Sequence, residues 1–535
     1  MTTADTPATF KFSVNYVLVR VVVRDGDGKV VKNLKKEDFL LTDNRKPQII
    51  STFAAETPAS HVPTVKMDPA DMAATGSVGA PVKAPELPSR FITLFFDDLH
   101  LSTQDAMLSR QAAMKLFAVR GAGDRISVFT TSGQVELDYT SDQDKLEETL
   151  QRVMPRPLMQ TSSGDCPPMT FYEAYQIVEA NDPVALQVAT ADAMSCSPNA
   201  QAAALLAQSA AQRVLSLGES QLQFTYQNLE SLIRRMTTLP GQRIIVLMSP
   251  GFFVTPTMRG SGEIIDRATK ANIVVNTIDA RGLYVSSLFD ASNPSTGSPL
   301  TLIQKSQFIV TEESLQDDVL GEIADGTGGV FFHNRNDIDQ GLLQAAAEPE
   351  VSYVLGFAPQ NLKLDGSYHR LKVTLANKQK WAVQARHGYF APRHKTDPEA
   401  AAKEEIEQAI FSQEEMHELP MECQTQFFRS ENGVRLSVVT HVTTAGLKFR
   451  KVADRSNDDV TVSTAIFDEN GNLLTGQQKT VYMKLRDITL SNLNRDGFRV
   501  KSTFDLQPGT FLVRVIVRDS EGAQMGAVNR GVVIP

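Results

Sequence analysis

The spacing of hydrophobic and polar positions changes period three times along the chain, and each change predicts a different architecture. Residues 10–23 are rich in Val, Phe and Tyr and run into the turn signal Asp25-Gly-Asp-Gly28, which reads as strand and turn. Residues 34–53 continue as short strands broken at Asp43-Asn44. A Pro, Ala and Gly-rich stretch without periodicity follows at 57–89 and reads as a linker. From 90 to 349 apolar runs alternate with helical periodicity. Strands are expected at 91–96, 125–131, 243–248, 273–278 and 329–332, and helices at 104–119, 144–153, 221–237, 263–270, 315–324 and 338–347. Runs such as Ile244-Ile-Val-Leu-Met248 suit a mostly parallel sheet covered on both faces. Residues 155–217 interrupt this alternation as a long insertion with helical pieces of its own.

After residue 350 the period returns to two. Strands are expected at 352–357, 369–375 and 381–385, and these should pair with the N-terminal strands. A charged, Ala-rich helix at 398–412 leads into an all-β segment with turns at Asn432-Gly433, Asn470-Gly471, Asp496-Gly497 and Glu521-Gly522. The expected parts are therefore 8–56 and 350–395 as two halves of a split β-sandwich, 57–89 as linker, 90–349 as the inserted α/β domain, and 396–535 as helix plus C-terminal sandwich. A weak repeat, a strand followed by Asp-x-x-Gly, recurs at Val21–Gly28, Thr464–Gly471 and Val515–Gly522. It reads first as a hairpin turn and second as a Ca²⁺ cluster.

Composition narrows the function classes. A chain of 535 residues exceeds one core, and 42% hydrophobic with 21% charged residues is ordinary for a folded protein. The net charge of −9 argues against nucleic acid or an anionic membrane surface as partner. No apolar run is long enough to span a bilayer, and the first residues show neither a basic nor an apolar signal region. That leaves the cytoplasm, or a mature secreted chain lacking its signal. Of the three cysteines, Cys166 and Cys196 flank one polar stretch of the insertion, and their spacing fits no zinc pattern. A disulfide between them, in an oxidising extracellular or periplasmic (cell-envelope) setting, is the favoured reading; two free thiols is the other.

Candidate chemistry concentrates where the strand at 91–96 ends in Asp97, Asp98, Leu99, His100, Leu101 and Ser102. Ligands of open α/β sheets bind beyond the carboxyl ends of the strands. Asp97, Asp98 and Ser102 are hard oxygen donors of the type Mg²⁺ or Ca²⁺ accepts. The competing reading is that Asp98 and Ser102 cap the helix starting near Gln104. His100 reads as a loop histidine available to a ligand. In the insertion, Phe171, Tyr172 and Tyr175 are aromatic anchors for recognition, or core of the Ala-rich helices. No Gly-x-Ser-x-Gly elbow, phosphate loop or Cys–His pair is present, so an enzyme is not expected.

Several segments, in this order, resemble the von Willebrand factor A-related proteins of Acidobacteria and related soil bacteria. They are Val21-Val-Val-Arg-Asp25, Leu34-Lys-Lys-Glu-Asp-Phe39, Phe95-Phe-Asp-Asp-Leu-His100, Leu239-Pro-Gly-Gln-Arg243 and Ser249-Pro-Gly-Phe252. Asn276-Thr-Ile-Asp-Ala-Arg-Gly-Leu283, Gly326-Thr-Gly-Gly329, Tyr353-Val-Leu-Gly-Phe357 and Ala385-Arg-His-Gly-Tyr-Phe390 complete the set over residues 10–393. The resemblance implies a von Willebrand A-like doubly wound sheet inserted in the split sandwich, with an appended immunoglobulin-like β-sandwich. It also implies a secreted binding or adhesion protein that recognises a protein or glycan through a divalent cation at the sheet edge. The usual first loop is Asp-x-Ser-x-Ser, followed by a Thr from a second loop and an Asp from a third. Here the first loop matches loosely, Thr170 or Thr225 stands for the Thr, and Ser249-Pro-Gly replaces the third-loop Asp. The site is expected to be degenerate. A structural protein that self-associates through a metal-free scaffold is the alternative, and a hydrolase a more distant one.

Overall fold

The computed structural model describes residues 17–26, 29–56, 88, 90–157, 166–256, 261–284, 299–347, 351–359, 367–376, 379, 381–391, 398–411, 416–430, 433–452, 454–522 and 524–534. Residues 10–16 of the strand region expected at 10–23, and most of the linker, lie outside the described residues. The chain divides into two compact units, one of residues 88–348 and one of residues 1–87 with 349–535.

The second unit begins with β1 (Val17–Arg24), β2 (Phe39–Asp43), β3 (Lys46–Gln48) and β4 (Thr52–Glu56). The 88–348 unit follows with β5 (Arg90–Phe96), α1 (Thr103–Val119), β6 (Asp124–Thr130), β7 (Glu136–Thr140) and α2 (Gln143–Gln151). Next come α3 (Phe171–Val178), α4 (Pro183–Ala193), α5 (Ala200–Met236), β8 (Gln242–Ser249), α6 (Ser261–Lys270) and β9 (Ile273–Asp279). It closes with α7 (Pro299–Thr327), β10 (Phe331–Phe332) and α8 (Ile338–Ala346).

Its sheet has the order β10-β9-β8-β5-β6-β7, parallel except for the antiparallel edge strand β7. Burial on both faces explains the continuous apolar strands. Ile92, Leu94, Phe96, Ile126, Val128, Val246 and Met248 pack under α1, α2 and α8. Phe91, Phe95, Phe129, Ile245, Leu247 and Val275 pack under α5, α6 and α7. In such a sheet the chain reverses its winding between β5 and β8, which opens a crevice at the carboxyl ends of those two strands.

The remaining strands belong to the other unit: β11 (Ser352–Phe357), β12 (Tyr368–Leu375), β13 (Ala382–Ala385) and β14 (Gly388–Phe390). They form two four-stranded sheets with the N-terminal strands, in the orders β13-β1-β11-β4 and β14-β12-β2-β3. Val19, Val21, Phe39, Leu41, Tyr353, Leu355 and Phe357 fill the space between them, with Trp381 packed at the margin. The motif at 385–390 is structural here: the Tyr389 hydroxyl donates to Asp43 at 2.8 Å, and His369 Nδ1 lies 2.9 Å from the same carboxylate.

The chain then forms α9 (Pro398–Phe411), β15 (Met416–His417), β16 (Met421–Ser430), β17 (Gly433–Val442), β18 (Arg450–Val452) and β19 (Arg455–Phe467). It ends with β20 (Leu473–Leu485), α10 (Asp487–Asp496), β21 (Phe498–Leu506), β22 (Gly509–Asp519) and β23 (Met525–Ile534). A sheet β15-β23-β22-β19-β18, with β20 on β19, shares its core with a second sheet, β16-β17-β21. The Asp-x-x-Gly repeats are turns. Asp25 accepts from Lys29 N–H, Asp468 from Asn470 and Asn472 N–H, and Asp519 from Glu521 and Gly522 N–H. The fold is thus mixed α/β with several sheets of β-sandwich type.

Candidate functional site

The end of β5 places Asp97 and Asp98 at the crevice, and both are fully buried. A buried carboxylate survives only with donors around it. Asp97 accepts from Ser249 Oγ at 2.6 Å and from Thr131 Oγ1 at 3.0 Å, and His100 Nδ1 lies 2.8 and 2.9 Å from its two oxygens. Asp98 accepts from Thr131 Oγ1 at 3.0 Å, from Ser132 N–H at 2.8 Å and from the Ser132 hydroxyl. Burial pushes the Asp98 carboxyl above the usual carboxylate range. The Ser132 and Thr131 hydrogen bonds pull it back, and the negative charge of Asp97 adds to the rise.

Three strands contribute to this cluster. Parallel register sets Phe96 beside Thr130 and Met248, so the next residues, Asp97, Thr131 and Ser249, emerge side by side. Thr131 also accepts from Leu99 N–H at 3.3 Å, and Ser249 from Gly251 N–H at 3.0 Å. Ser249 therefore donates once and accepts once, while Thr131 shares its single proton between Asp97 and Asp98; each hydroxyl keeps one lone pair. Two carboxylates with such hydroxyls form a hard, low-charge donor set that fits a divalent cation in kind. The imidazole of His100 lies on both oxygens of Asp97, so a cation approaching there must displace that contact.

The other sequence candidates fall elsewhere. Ser102 is exposed and caps α1: its hydroxyl accepts from Asp105 N–H at 3.2 Å, and Asp105 returns a bond to Ser102 N–H. Asp98 does not cap that helix, because its oxygens are taken by Thr131 and Ser132 just after β6. Thr225 Oγ1 donates to Gln221 O at 3.1 Å inside α5, and Thr170 is the N-cap of α3, so neither stands with Asp97 as a second-loop ligand. His100 is half-buried, with its ring 5.7 Å from that of Phe252. Thr131 and Ser132 were missed; the hydroxyl run Thr130-Thr131-Ser132 at a strand end was the available signal.

The insertion aromatics pack rather than project. Phe171 is buried, and Phe171, Tyr172 and Tyr175 all lie 5.2–5.5 Å from the ring of Phe253, in the loop after β8. Cys166 and Cys196 are disulfide-bonded, with Cα atoms 6.3 Å apart. Beside that loop a cleft of about 290 Å³ is lined by Phe253, Thr255, Ser261, Leu315, Asp318 and Glu322. Among the described residues no group of three or more His, Cys, Asp or Glu is placed to hold a metal ion, so any cation at the edge depends on hydroxyls.

No family model matches the chain, and no curated protein matches it. Among solved structures it is similar, at TM-score 0.15 and 14% identity, to a calcium-binding mutant of β-glucuronidase 2 from Bacteroides uniformis, over 21% of this chain and 13% of that one. A glycosyl hydrolase family 2 member from Bacteroides cellulosilyticus matches at TM-score 0.16 and 10% identity, over 36% and 21%. The chicken interferon gamma receptor alpha chain matches at 0.13 and 6%, over 36% and 76%. The chain spans about a fifth or less of the two hydrolases, and at these TM-scores none of the likenesses carries an argument.

Proposed function

We propose that this chain is a secreted or cell-envelope binding protein, not an enzyme. It would recognise a protein or glycan ligand at the carboxyl edge of a von Willebrand A-like sheet, beside a degenerate divalent-cation site. The observation that carries this reading is the convergence of Asp97, Thr131 and Ser249 from three adjacent strands at the point where the sheet reverses its winding. A Mg²⁺ or Ca²⁺ there would be held by Asp97 with the Thr131 and Ser249 hydroxyls, and it would supply an open position for an acidic ligand group. Asp98, Ser132 and Gln221 hold the surrounding loops: Gln221 Nε2 donates to Leu99 O at 2.7 Å, and Arg156 N–H to Asp98 O at 2.6 Å. The disulfide fits an oxidising compartment. Among the described residues no helix is long and apolar enough to cross a membrane.

One observation favours a second reading, a metal-free scaffold within a self-associating structural protein. His100 already occupies Asp97, so the acid is satisfied without a cation. Calorimetric titration of Mg²⁺, Mn²⁺ and Ca²⁺ into chelator-stripped protein separates the two. Saturable heat that an Asp97→Asn variant loses supports the cation site. Heat absent at every cation, with an unchanged melting temperature, gives the scaffold reading, and light scattering then tests self-association.

A further inference from the structure

The insertion holds a second set of buried acids that the sheet-edge site does not use. Glu173 on α3 is 1% exposed and Glu312 on α7 is 9% exposed; Glu173 Oε1 and Glu312 Oε2 each lack a hydrogen-bond partner. Asp192 on α4, also 9% exposed, is paired with Lys305 on α7. Lys305, already paired with Asp192, is also the ammonium whose charge reaches Glu173. Orphaned buried oxygens of ionised acids are costly, whereas protonated carboxyls need no counter-charge.

Among the described residues, Lys305 is the cation whose charge acts on Glu173. The charged groups acting on Glu173 are Lys305, Asp192 and Glu312, and those on Glu312 include Glu313; the Thr170 hydroxyl and the Tyr172 and Phe171 N–H groups also reach Glu312. α5 meets α3 and α4 with an apolar face that includes Ala203, Ala207, Ala210, Ala211 and Leu215, and the 249–256 loop adds Phe253. Burial pushes Glu173 up to about 7; Lys305 pulls it down, and Asp192 and Glu312 push it further up. Burial likewise raises Glu312. Glu173 therefore prefers the neutral form on the acid side of neutrality, and burial works against the charged form of Glu312 as well.

These helices also touch the sheet edge. Phe171, Tyr172 and Tyr175 of α3 surround Phe253, while the adjacent Phe252 packs against His100, which contacts Asp97. We propose that the insertion is a proton-dependent clamp on the 249–256 loop: α3 and α4 stay seated on α7 and Phe253 while the buried Glu173 is neutral, and lift when it ionises beside Glu312. Its consequence, control of ligand access to the edge, rests on the proposed function; the clamp itself does not.

Hydrogen exchange of the full-length, disulfide-intact chain tests this without ligand or cation, so its failure is distinct from failure of the cation titration. After correction for intrinsic rates, protection over residues 171–193 should fall about tenfold or more between about pH 5.5 and about pH 8.5. Protection over α1 should hold. In Glu173→Gln and, with no polar group at all, Glu173→Met, residues 171–193 should keep their acid-side protection at the higher pH. Equal protection of 171–193 at both pH values overturns the clamp. So does a loss on raising pH that both variants retain, or a loss of acid-side protection in both, since neutral side chains would then not be what seats the helices.

Discussion

At the scale of single residues, the buried Asp97 is the test case. It takes three donors from three loops, and truncation would leave Ser249, Thr131 and His100 facing a void. Unsatisfied buried groups cost more than the bonds they lose. Asp97→Ala is therefore expected to destabilise the α/β unit by about 2–4 kcal/mol, read as a lower denaturant midpoint. Ser102→Ala removes only a helix cap, and the expected cost is about 1 kcal/mol. It should leave any cation titration unchanged; abolished heat in this variant would return Ser102 to the site. The sequence made Asp97 and Asp98 visible because two acids follow an apolar strand. It could not separate a cap from a ligand at Ser102, since the same side chain serves either role and only the observed bond to Asp105 decides. Thr131 and Ser132 were hidden for another reason. Their meaning comes from the register of β6 against β5, which no local pattern encodes.

At the scale of elements, the strands of the parallel sheet were legible because burial on both faces makes them continuous apolar runs. The run at 91–96 is β5 in full but for Arg90, and 273–278 falls within β9. Long helices were truncated instead. α5 runs from Ala200 to Met236, yet the pattern bounds a helix only at 221–237 and gives the residues before it as helical pieces without limits, because those Ala- and Gln-rich residues carry too little apolar contrast to show a period. β7 was missed as a short edge strand with exposed Glu136 and Asp138. The insertion elements lean on the disulfide. A closed segment of 30 residues loses roughly 3–4 kcal/mol of unfolded-state restriction when opened, in the chain-entropy account. Cys166→Ser with Cys196→Ser should lower the stability of α3 and α4 by about that amount. Limited proteolysis should then cut within 166–196 well before the parallel sheet opens. Cleavage at an unchanged rate would mean that the packing of α3 and α4 on α5, through Gly218 against Phe171, suffices without the bridge.

For the whole molecule, the two units carry separate hydrophobic cores, and the chain crosses between them only near residues 88 and 348. Calorimetry of the intact chain is expected to show more than one unfolding transition, each with its own response to pH. In the unit of residues 1–87 and 349–535, Asp458 on β19 and Asp519 at the end of β22 are both buried, and Asp458 Oδ2 has no hydrogen-bond partner. Asp519 accepts N–H bonds from Glu521, Gly522 and Lys448. Burial, then the neighbouring Asp519, pushes Asp458 up from 3.8 to about 7. A raised carboxyl value means that the fold prefers the neutral acid. Its contribution is complete below the ordinary value and is lost as pH rises from about 4 towards about 7. The transition of this unit should therefore move to lower temperature over that window, and Asp458→Asn, neutral at every pH, should flatten the dependence. Glu173→Gln should flatten the other unit's transition and leave this one unchanged. A single transition that both variants shift alike would show instead that the units unfold as one, and the assignment of each acid to its own core would fail.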